Sequence, residues 1–545
     1  MLHGSTVRPV YGRLLPAVLR RLWLPPLSLW VRRIWRLPSL PVWHALRPLS
    51  IFTLRFPASR RLLSTEEGRH SIPIKLRILV FVHRQKHGIL SNEHSTLERI
   101  FFMEKQMKAW VQTIRQLFSP EELTRLARKT GFIRRQRSLT AEAFLTLCAW
   151  GDGSLAKQSL QRLCAALTLW HGCSLSSEGL NQRFTDRAVA FLREVFFLLL
   201  LHQRPLLLSA METYRTCFTR LRILDSTSFL VPADYGEDYR GSVSSGVKIQ
   251  FEYDLLSGAC LQLCVQSAND SDARFAYHAQ HTILPNDLCI RDLGFFSVAA
   301  LAEIDARGAY YITRLRSDMK VYIKENGQWK EWDWESLGNQ LEEGESVEME
   351  HVYIGHERLY VPRLVFRRLT AEEWQKRMAY VRKKEKRKGK ALARQTLEQK
   401  KYHILLTNLP QESFDGQQVY ELYSLRWQIE LLFKAWKSVF DLEKVKEMKK
   451  ERFECHLYGT LIAILVTQTF LFQARMYWHQ KEDIEISERK ALDLLQSYWH
   501  QLLLRSHMAE INLFSLLSLL RKHAKKGRRK GEETASDILT KLEIW

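Results

Sequence analysis

The spacing of apolar residues changes near Leu221, and that change restricts the fold of this chain more than any other feature. From about 103 to 215 apolar residues recur at helical spacing, and two helix starts stand out. Ser119-Pro120-Glu121-Glu122 and Thr140-Ala141-Glu142 each place a capping hydroxyl ahead of acids in the first turn. Downstream, Arg222-Ile223-Leu224-Asp225, Val247–Tyr253 and Cys260–Val265 are short strand-like runs separated by turns at Gly246 and Ser257-Gly258, which predicts an antiparallel meander. A helix over Asp272–His281, a strand over Leu288–Asp292, a helix over Phe296–Ile304 and a strand over Tyr310–Thr313 follow. Strands that first fold back and then alternate with helices predict an α/β fold with a mixed sheet. Strand patterns at Val321–Lys324 and Val352–Ile354, then a basic helix at Lys383–Lys388, interrupt that alternation until the strand His403–Leu409 resumes it.

The expected division is therefore an Arg/Pro/Trp-rich extension over 1–102, a helical domain over 103–215 and an α/β core in two parts, 216–315 and 401–450. The basic residues Arg125, Arg128, Lys129, Arg134, Arg135 and Arg137 make the helical domain a DNA-binding one, the alternative being a packing domain with a solvated basic face. A mostly β insertion over 316–400 separates the parts, and a helical region over 451–545 closes the chain. In the extension every positive residue before Lys75 is Arg or His, the first acids are Glu66 and Glu67, and Pro or Arg breaks each apolar run. No run there reaches the ~18–20 residues of a membrane span. Two readings fit: an organellar transit peptide, or a dispensable, disordered stretch upstream of a true start at Met103 or Met107. The second is adopted.

A formal charge of +23 points to a polyanionic partner, because Lys or Arg neutralising a phosphate releases condensed counterions. Nucleic acid comes first and a membrane surface second. The 8 cysteines contain no C-x-x-C, so buried free thiols in a reducing compartment are expected. His278-x-x-His281 has no third ligand and reads as surface histidines. Leu457–Phe472 reads as a core helix, and the basic runs Lys383–Lys390 and Arg521–Lys530 as solvated faces that also touch DNA backbone.

Chemistry is suggested by a helix expected from about Gln417 to Phe440, with Asp415 as its cap. At about 100° per residue, Tyr423, Arg426, Glu430 and Lys437 fall within an arc of about 60°, beside an apolar arc that includes Leu425, Ile429, Leu432 and Trp436. The plain alternative is an amphipathic surface helix with an Arg426–Glu430 pair worth only a few tenths of a kcal/mol. Two isolated acids favour the first reading: Asp225 and Asp292 each end an apolar strand pattern, where an unpaired carboxylate is costly. Each also has a local alternative, Asp225 capping the turn Ser226-Thr227-Ser228 and Asp292 capping the helix after Gly294. Carboxylates converging near 4 Å repel by about 4 kcal/mol per pair at an effective dielectric of 20. Such a cluster calls for cations, and hard oxygen ligands favour Mg²⁺ or Mn²⁺.

The pattern Tyr423-x-x-Arg426-x-x-x-Glu430-x-x-x-x-x-x-Lys437 resembles the Y-R-E-K signature of the insertion sequence 4 family of DDE transposases. Leu224-Asp225-Ser226-Thr227 and Asp292-Leu293-Gly294-Phe295-Phe296 are similar to that family's first and second catalytic Asp segments, and the resemblance spans about 110 to 475. It implies an RNase H-like catalytic core carrying the β insertion, with Asp225, Asp292 and Glu430 holding two Mg²⁺ or Mn²⁺ ions. Tyr423, Arg426 and Lys437 would bind DNA phosphates. The implied activity is cut-and-paste transposition: cleavage at terminal inverted repeats, then attack of the freed 3′-OH on target DNA, without a covalent enzyme intermediate. Double-stranded DNA is the implied partner, a homodimer the implied assembly, no membrane is involved, and the location is cytoplasmic and nucleoid-associated. Members often expose a flipped base to an aromatic residue, and Trp329, Trp332 and Trp334 lie in the insertion without one being singled out. The alternatives are a nuclease without strand transfer and an inactive DNA-binding descendant.

Overall fold

The computed structural model describes residues 100–545 apart from 136, 152–154, 212–216, 242–243, 317–318, 333–337, 339, 390, 392–396, 398–399, 505–512, 528–532 and 545. Residues 1–99 of the extension, and Trp334, lie outside the described residues. Helices α1 (100–117), α2 (Pro120–Lys129), α3 (Ala141–Trp150), α4 (Leu160–His171), α5 (Ser177–Asn181) and α6 (Asp186–Met211) open the described chain. Ser119 and Thr140 cap α2 and α3 by accepting from the backbone N–H groups of Glu122 and Ala143. Each such cap is worth about 1 kcal/mol.

A ten-stranded mixed sheet follows, in the order β3-β2-β1-β4-β5-β10-β9-β8-β6-β7. Its strands are β1 (Arg220–Leu230), β2 (Gly246–Asp254), β3 (Cys260–Ser267), β4 (Asp287–Arg291), β5 (Tyr310–Arg314), β6 (Val321–Glu325), β7 (Gln328–Glu331), β8 (Ser346–Ile354), β9 (Leu359–Arg368) and β10 (Tyr402–Thr407). β1, β2 and β3 form the antiparallel meander, and β1, β4 and β5 are parallel neighbours. The parallel pairs are joined through α7 (Asp272–His278) and α8 (Val298–Ala306).

The segment from β6 to β9 extends this same sheet, because β9 pairs with β10 along its length. Alternation along these strands sends Val321, Val352, Ile354 and Val361 into a second apolar cluster with Ile304 and Tyr311. The remaining helices are α9 (Ala371–Lys388), α10 (Gly416–Ser424), α11 (Trp427–Val439), α12 (Lys450–Glu482), α13 (Glu488–Leu504), α14 (Leu513–His523) and α15 (Ala535–Lys541).

The N-terminal helices share one core with the rest of the described chain. Met107, Trp110, Phe144 and Leu199 belong to the same buried cluster as Ile223, Ile290, Trp436 and Val466. α12 runs through that cluster and packs on α3, α6 and α13. The Trp110 indole donates to the Val466 carbonyl at 3.1 Å, and Gln203 donates to Thr469 Oγ1 at 2.8 Å. Gly459 permits the close approach of α12 to α3, since a Cβ there would lie 2.3 Å from the Cys148 carbonyl oxygen. By length and composition α12 could cross a membrane, but 89% of its most apolar window is buried inside the protein, so it is a core helix.

Three local expectations change. Asp225 does not end its strand; β1 continues to Leu230 because β2 keeps pairing with it to Gly246 after β4 has stopped. The helix expected from Gln417 to Phe440 is two helices. Asp415 does cap the first, in a capping box with Gln418, but Ser424 Oγ bonds back to the Glu421 carbonyl and the chain tightens through Leu425 and Arg426 into i→i−3 bonds. Not every thiol is buried either: Cys217 is exposed.

Candidate active site

The site begins with strand register. β1 and β4 pair in parallel from Arg220↔Asp287 to Leu224↔Arg291. Continuing that register by one residue sets Asp225 beside Asp292 at the carboxyl end of the parallel pair. The 67-residue interval between the two acids equals the interval that separates the paired residues Arg220 and Asp287. Side chains alternate across a strand, so Asp225 shares a face with Ile223, and Asp292 with Ile290, both in the main core. Helix α11 packs on that face of β1 and brings Glu430 in its first turn.

Arg426, in the tightened turn before α11, gathers the three acids. Its Nη1 donates to Asp225 Oδ2 at 3.0 Å, its Nη2 to Glu430 Oε1 at 2.5 Å, and its Nε lies 3.9 Å from Asp292 Oδ1. Neither proposed local role describes the aspartates. The Asp292 side chain makes no cap bond to the following 3₁₀ turn, and Asp225 accepts from Ser226 N while also engaging Arg426. Burial pushes the Asp225 carboxyl up to about 7; the Ser226 N–H and Arg426 oppose this, while Asp292 and Glu430 add to it. One guanidinium among three carboxylates leaves a surplus of negative charge in a partly desolvated site.

The other two signature residues stand apart from this cluster. Tyr423 is buried at 7% exposure near Asp292 and Arg426; burial first, then the Asp292 charge, raises its phenol pKa. Lys437 lies beyond Asp225 along β1, donating to the Ser228 carbonyl at 3.1 Å and pairing with Glu443 at 2.9 Å. The expected continuous polar stripe is therefore divided, because α10 ends at Ser424 and packs separately, on β5 and β8. Two further side chains border the site without a motif to announce them. Trp427 is 47% exposed beneath the Lys434 ammonium, which lies 4.3 Å from its ring centroid. Arg314 ends β5 level with Asp292, since Arg291 pairs with Thr313; only the register would have revealed it.

A family model described as "Transposase DDE domain" matches residues 216–466, which contain all three acids. The chain is 36% identical over 457 residues to the transposase for insertion sequence element IS231F of Bacillus thuringiensis subsp. israelensis, covering 80% of this chain and 96% of that protein. It is 30% identical over 463 residues to the transposase for insertion sequence element IS1151 of Clostridium perfringens, covering 81% and 98%. The chain belongs to the DDE transposases of insertion sequences.

DDE transposases are metal-dependent polynucleotidyl transferases, so the donor set has to suit a hard divalent ion. Three carboxylates from β1, the end of β4 and α11 supply oxygen ligands only, which fits Mg²⁺ or Mn²⁺ better than softer ions. Among the described residues no three acidic, His or Cys side chains are spaced to hold an ion as they stand. In this transposase the Arg426 guanidinium takes the place between Asp225 and Glu430. The remaining histidine motif carries no ligand set: His278 and His281 are exposed, and His281 Nδ1 lies 2.9 Å from the His278 carbonyl.

Proposed function

We propose that this chain performs cut-and-paste transposition through an RNase H-like core with the Y-R-E-K signature of the insertion sequence 4 family. Supporting the reading is the convergence of Asp225, Asp292 and Glu430, from three different elements, on the single guanidinium of Arg426. Asp225, Asp292 and Glu430 would hold two Mg²⁺ or Mn²⁺ ions, which supply stabilisation of the attacking and leaving oxygens in an in-line displacement at phosphorus. Arg426 would exchange its carboxylate partners for phosphate oxygens, which its planar fork matches bidentately. That exchange frees the acids as DNA arrives. Lys437 would meet the phosphate backbone as a point charge, and Tyr423 would support Arg426 from the buried side.

In the first step water attacks the phosphorus at the element's end; its oxygen joins phosphorus, the 3′-oxygen departs and takes up a proton. In the second, that 3′-OH attacks a target phosphodiester, joining one strand as the target's own 3′-oxygen leaves. No enzyme side chain is bonded to DNA in either step. The region 103–215 would contact DNA through the exposed side chains of Arg128, at the end of α2, and of Arg134, Arg135 and Arg137, in the connection to α3. A homodimer would hold the paired ends.

Glu430→Ala tests this. The variant should bind terminal-repeat DNA within about twofold of the parent but show no Mg²⁺-dependent cleavage. Cleavage that survives in Glu430→Ala would remove the acid cluster from the mechanism. Binding by the parent without cleavage, in Mg²⁺ and in Mn²⁺, would leave a DNA-binding protein.

A further inference from the structure

Beyond the three acids, the same sheet face turns from negative to positive within one strand. The parallel register places Arg314 at the carboxyl end of β5, level with Asp292 at the end of β4. Adjacent strands lie about 4.8 Å apart, so the two backbones are immediate neighbours. Arg314 also shares its face with Ile312, which joins the core beneath Asp225 and Asp292. Its side chain therefore projects on the side where the acids gather.

Arg314 is half-buried, yet it forms no hydrogen bond or ion pair with any described residue. Apart from Asp292 at the end of β4, the groups that feel its charge are cationic or neutral. Arg377 reaches in from α9, anchored through Nη1 to the carbonyls of Lys400 at 2.9 Å and Tyr402 at 3.2 Å. Burial, then the charge of Arg314, lowers the Arg377 pKa to about 10. His403, on β10, lies close enough to Arg377, Arg314 and Arg367 for their charges to add to burial in holding its imidazole down at about 2. Arg367 is already neutralised by Glu373, with Nη1 contacts of 3.1 and 3.0 Å. Tyr423 feels the charges of both Asp292 and Arg314.

Two partly buried guanidinium groups that repel each other, one without an ion-pair partner among the described residues, are a poor way to stabilise a fold. They are a good way to receive an anion. We propose that Arg314, backed by Arg377, is a phosphate-binding residue of the active site that holds a phosphodiester of the DNA strand being cut, next to the one addressed by the acids. The inference rests on the transposase reading and adds a contact outside the Y-R-E-K set. Arg314 would position the strand, taking up charge the three acids would otherwise repel, and would transfer no proton.

The test uses the full chain and a fluorescent duplex carrying the terminal repeat that flanks this coding sequence, with affinity measured across a salt series. Each phosphate contact contributes about 0.9 to the slope of log K against log[salt]. Arg314→Gln should lower that slope by about 0.9 and weaken binding, while Arg314→Lys should keep the slope. Replacing single phosphates by neutral methylphosphonates should reveal one position that penalises the parent but no longer penalises Arg314→Gln. Because Arg314 has no hydrogen-bond or ion-pair partner to lose among the described residues, Arg314→Gln should melt no lower than the parent. A parental slope and parental methylphosphonate pattern in Arg314→Gln would overturn the inference, and so would a fall in melting temperature, which would make Arg314 structural. A parent that neither binds nor cuts the repeat DNA would instead refute the transposase reading itself, and the inference with it.

Discussion

The two faces of strand β1 carry opposite electrostatic designs. On one face, Arg222 is fully buried and fully engaged: it donates to both Glu252 oxygens at 3.1 and 2.5 Å, to Asp287 at 3.1 Å and to Thr282. Arg220 completes this network by pairing with Asp287 through Nε at 2.8 Å. Burial pushes Glu252 up, but the Arg222 charge and hydrogen bonds outweigh it and hold the carboxyl below its usual range. Three residues along, on the other face, Asp225 sits with Asp292 and Glu430 around one guanidinium, and its carboxyl is pushed up instead. The first arrangement excludes solvent and pairs both of its acids with guanidinium groups, with buried Arg291 as a further cation on that face; the second has too many acids and partial access to water. The comparison teaches how to separate structural from functional charge in a fold: matched buried pairs hold strands together, whereas a partly exposed surplus awaits a ligand.

The largest effect should come from the open face. Asp225→Ala, Asp292→Ala and Glu430→Ala should each reduce DNA cleavage to background, while circular dichroism and the melting temperature stay close to those of the parent. Removing an acid from an overcrowded group relieves repulsion, so a collapse of the fold in these variants would break the contrast. On the closed face the reverse is expected. Glu252→Ala leaves the buried Arg222 sharing Asp287 with Arg220 and should cost about 3–5 kcal/mol in urea or thermal unfolding.

A smaller change should follow Arg426→Gln. Without the guanidinium between Asp225 and Glu430, Mn²⁺ binding to the DNA-free protein, read by electron paramagnetic resonance, should tighten about tenfold. That corresponds to ~1.4 kcal/mol, well under the ~4 kcal/mol Coulomb interaction of unit charges at 4 Å and an effective dielectric of 20. Unchanged Mn²⁺ affinity would show that Arg426 does not compete for the ion's place. The mildest effect concerns acid stability. Burial, then the charge of Arg377, holds His403 at about 2; burial, with Arg452 and Lys157 as lesser contributors, holds His456 at about 4. An unfolded imidazole titrates near 6.5. Below that value the unfolded chain binds more protons than the folded one, so stability is intact above about pH 6.5 and declines as pH falls. His403→Leu should flatten that decline in a series of melting temperatures from pH 7 to 4.5.

Much of the site could be seen in the sequence because its parts are local. Asp225 and Asp292 could be found from the apolar runs before them, and the α2, α3 and α10 caps from their hydroxyl or carboxylate positions. The constant interval from Arg220 to Asp287 and from Asp225 to Asp292 is the parallel register written along the chain. What escaped depended on distant partners. No Pro or Gly marks the break at Leu425, which comes from Ser424 bonding back to Glu421 and from separate packing of the two helices. Trp110 gives no sign that its indole will meet Val466. Nor could helical spacing in 100–211 reveal that those helices share their core with α12. Arg314 has no motif around it, and its place depends on β4 and β5 lying side by side.

The decisive measurement is a transposition assay. A supercoiled plasmid carrying this chain's own terminal repeats would be incubated with the full chain, a second target plasmid and Mg²⁺, in parallel with Asp225→Ala. Excision of the element and its joining to the target by the parent alone is the predicted result. Cleavage without joining would identify a nuclease, and equal activity in Asp225→Ala would contradict the assignment of the open face of β1 as the catalytic site.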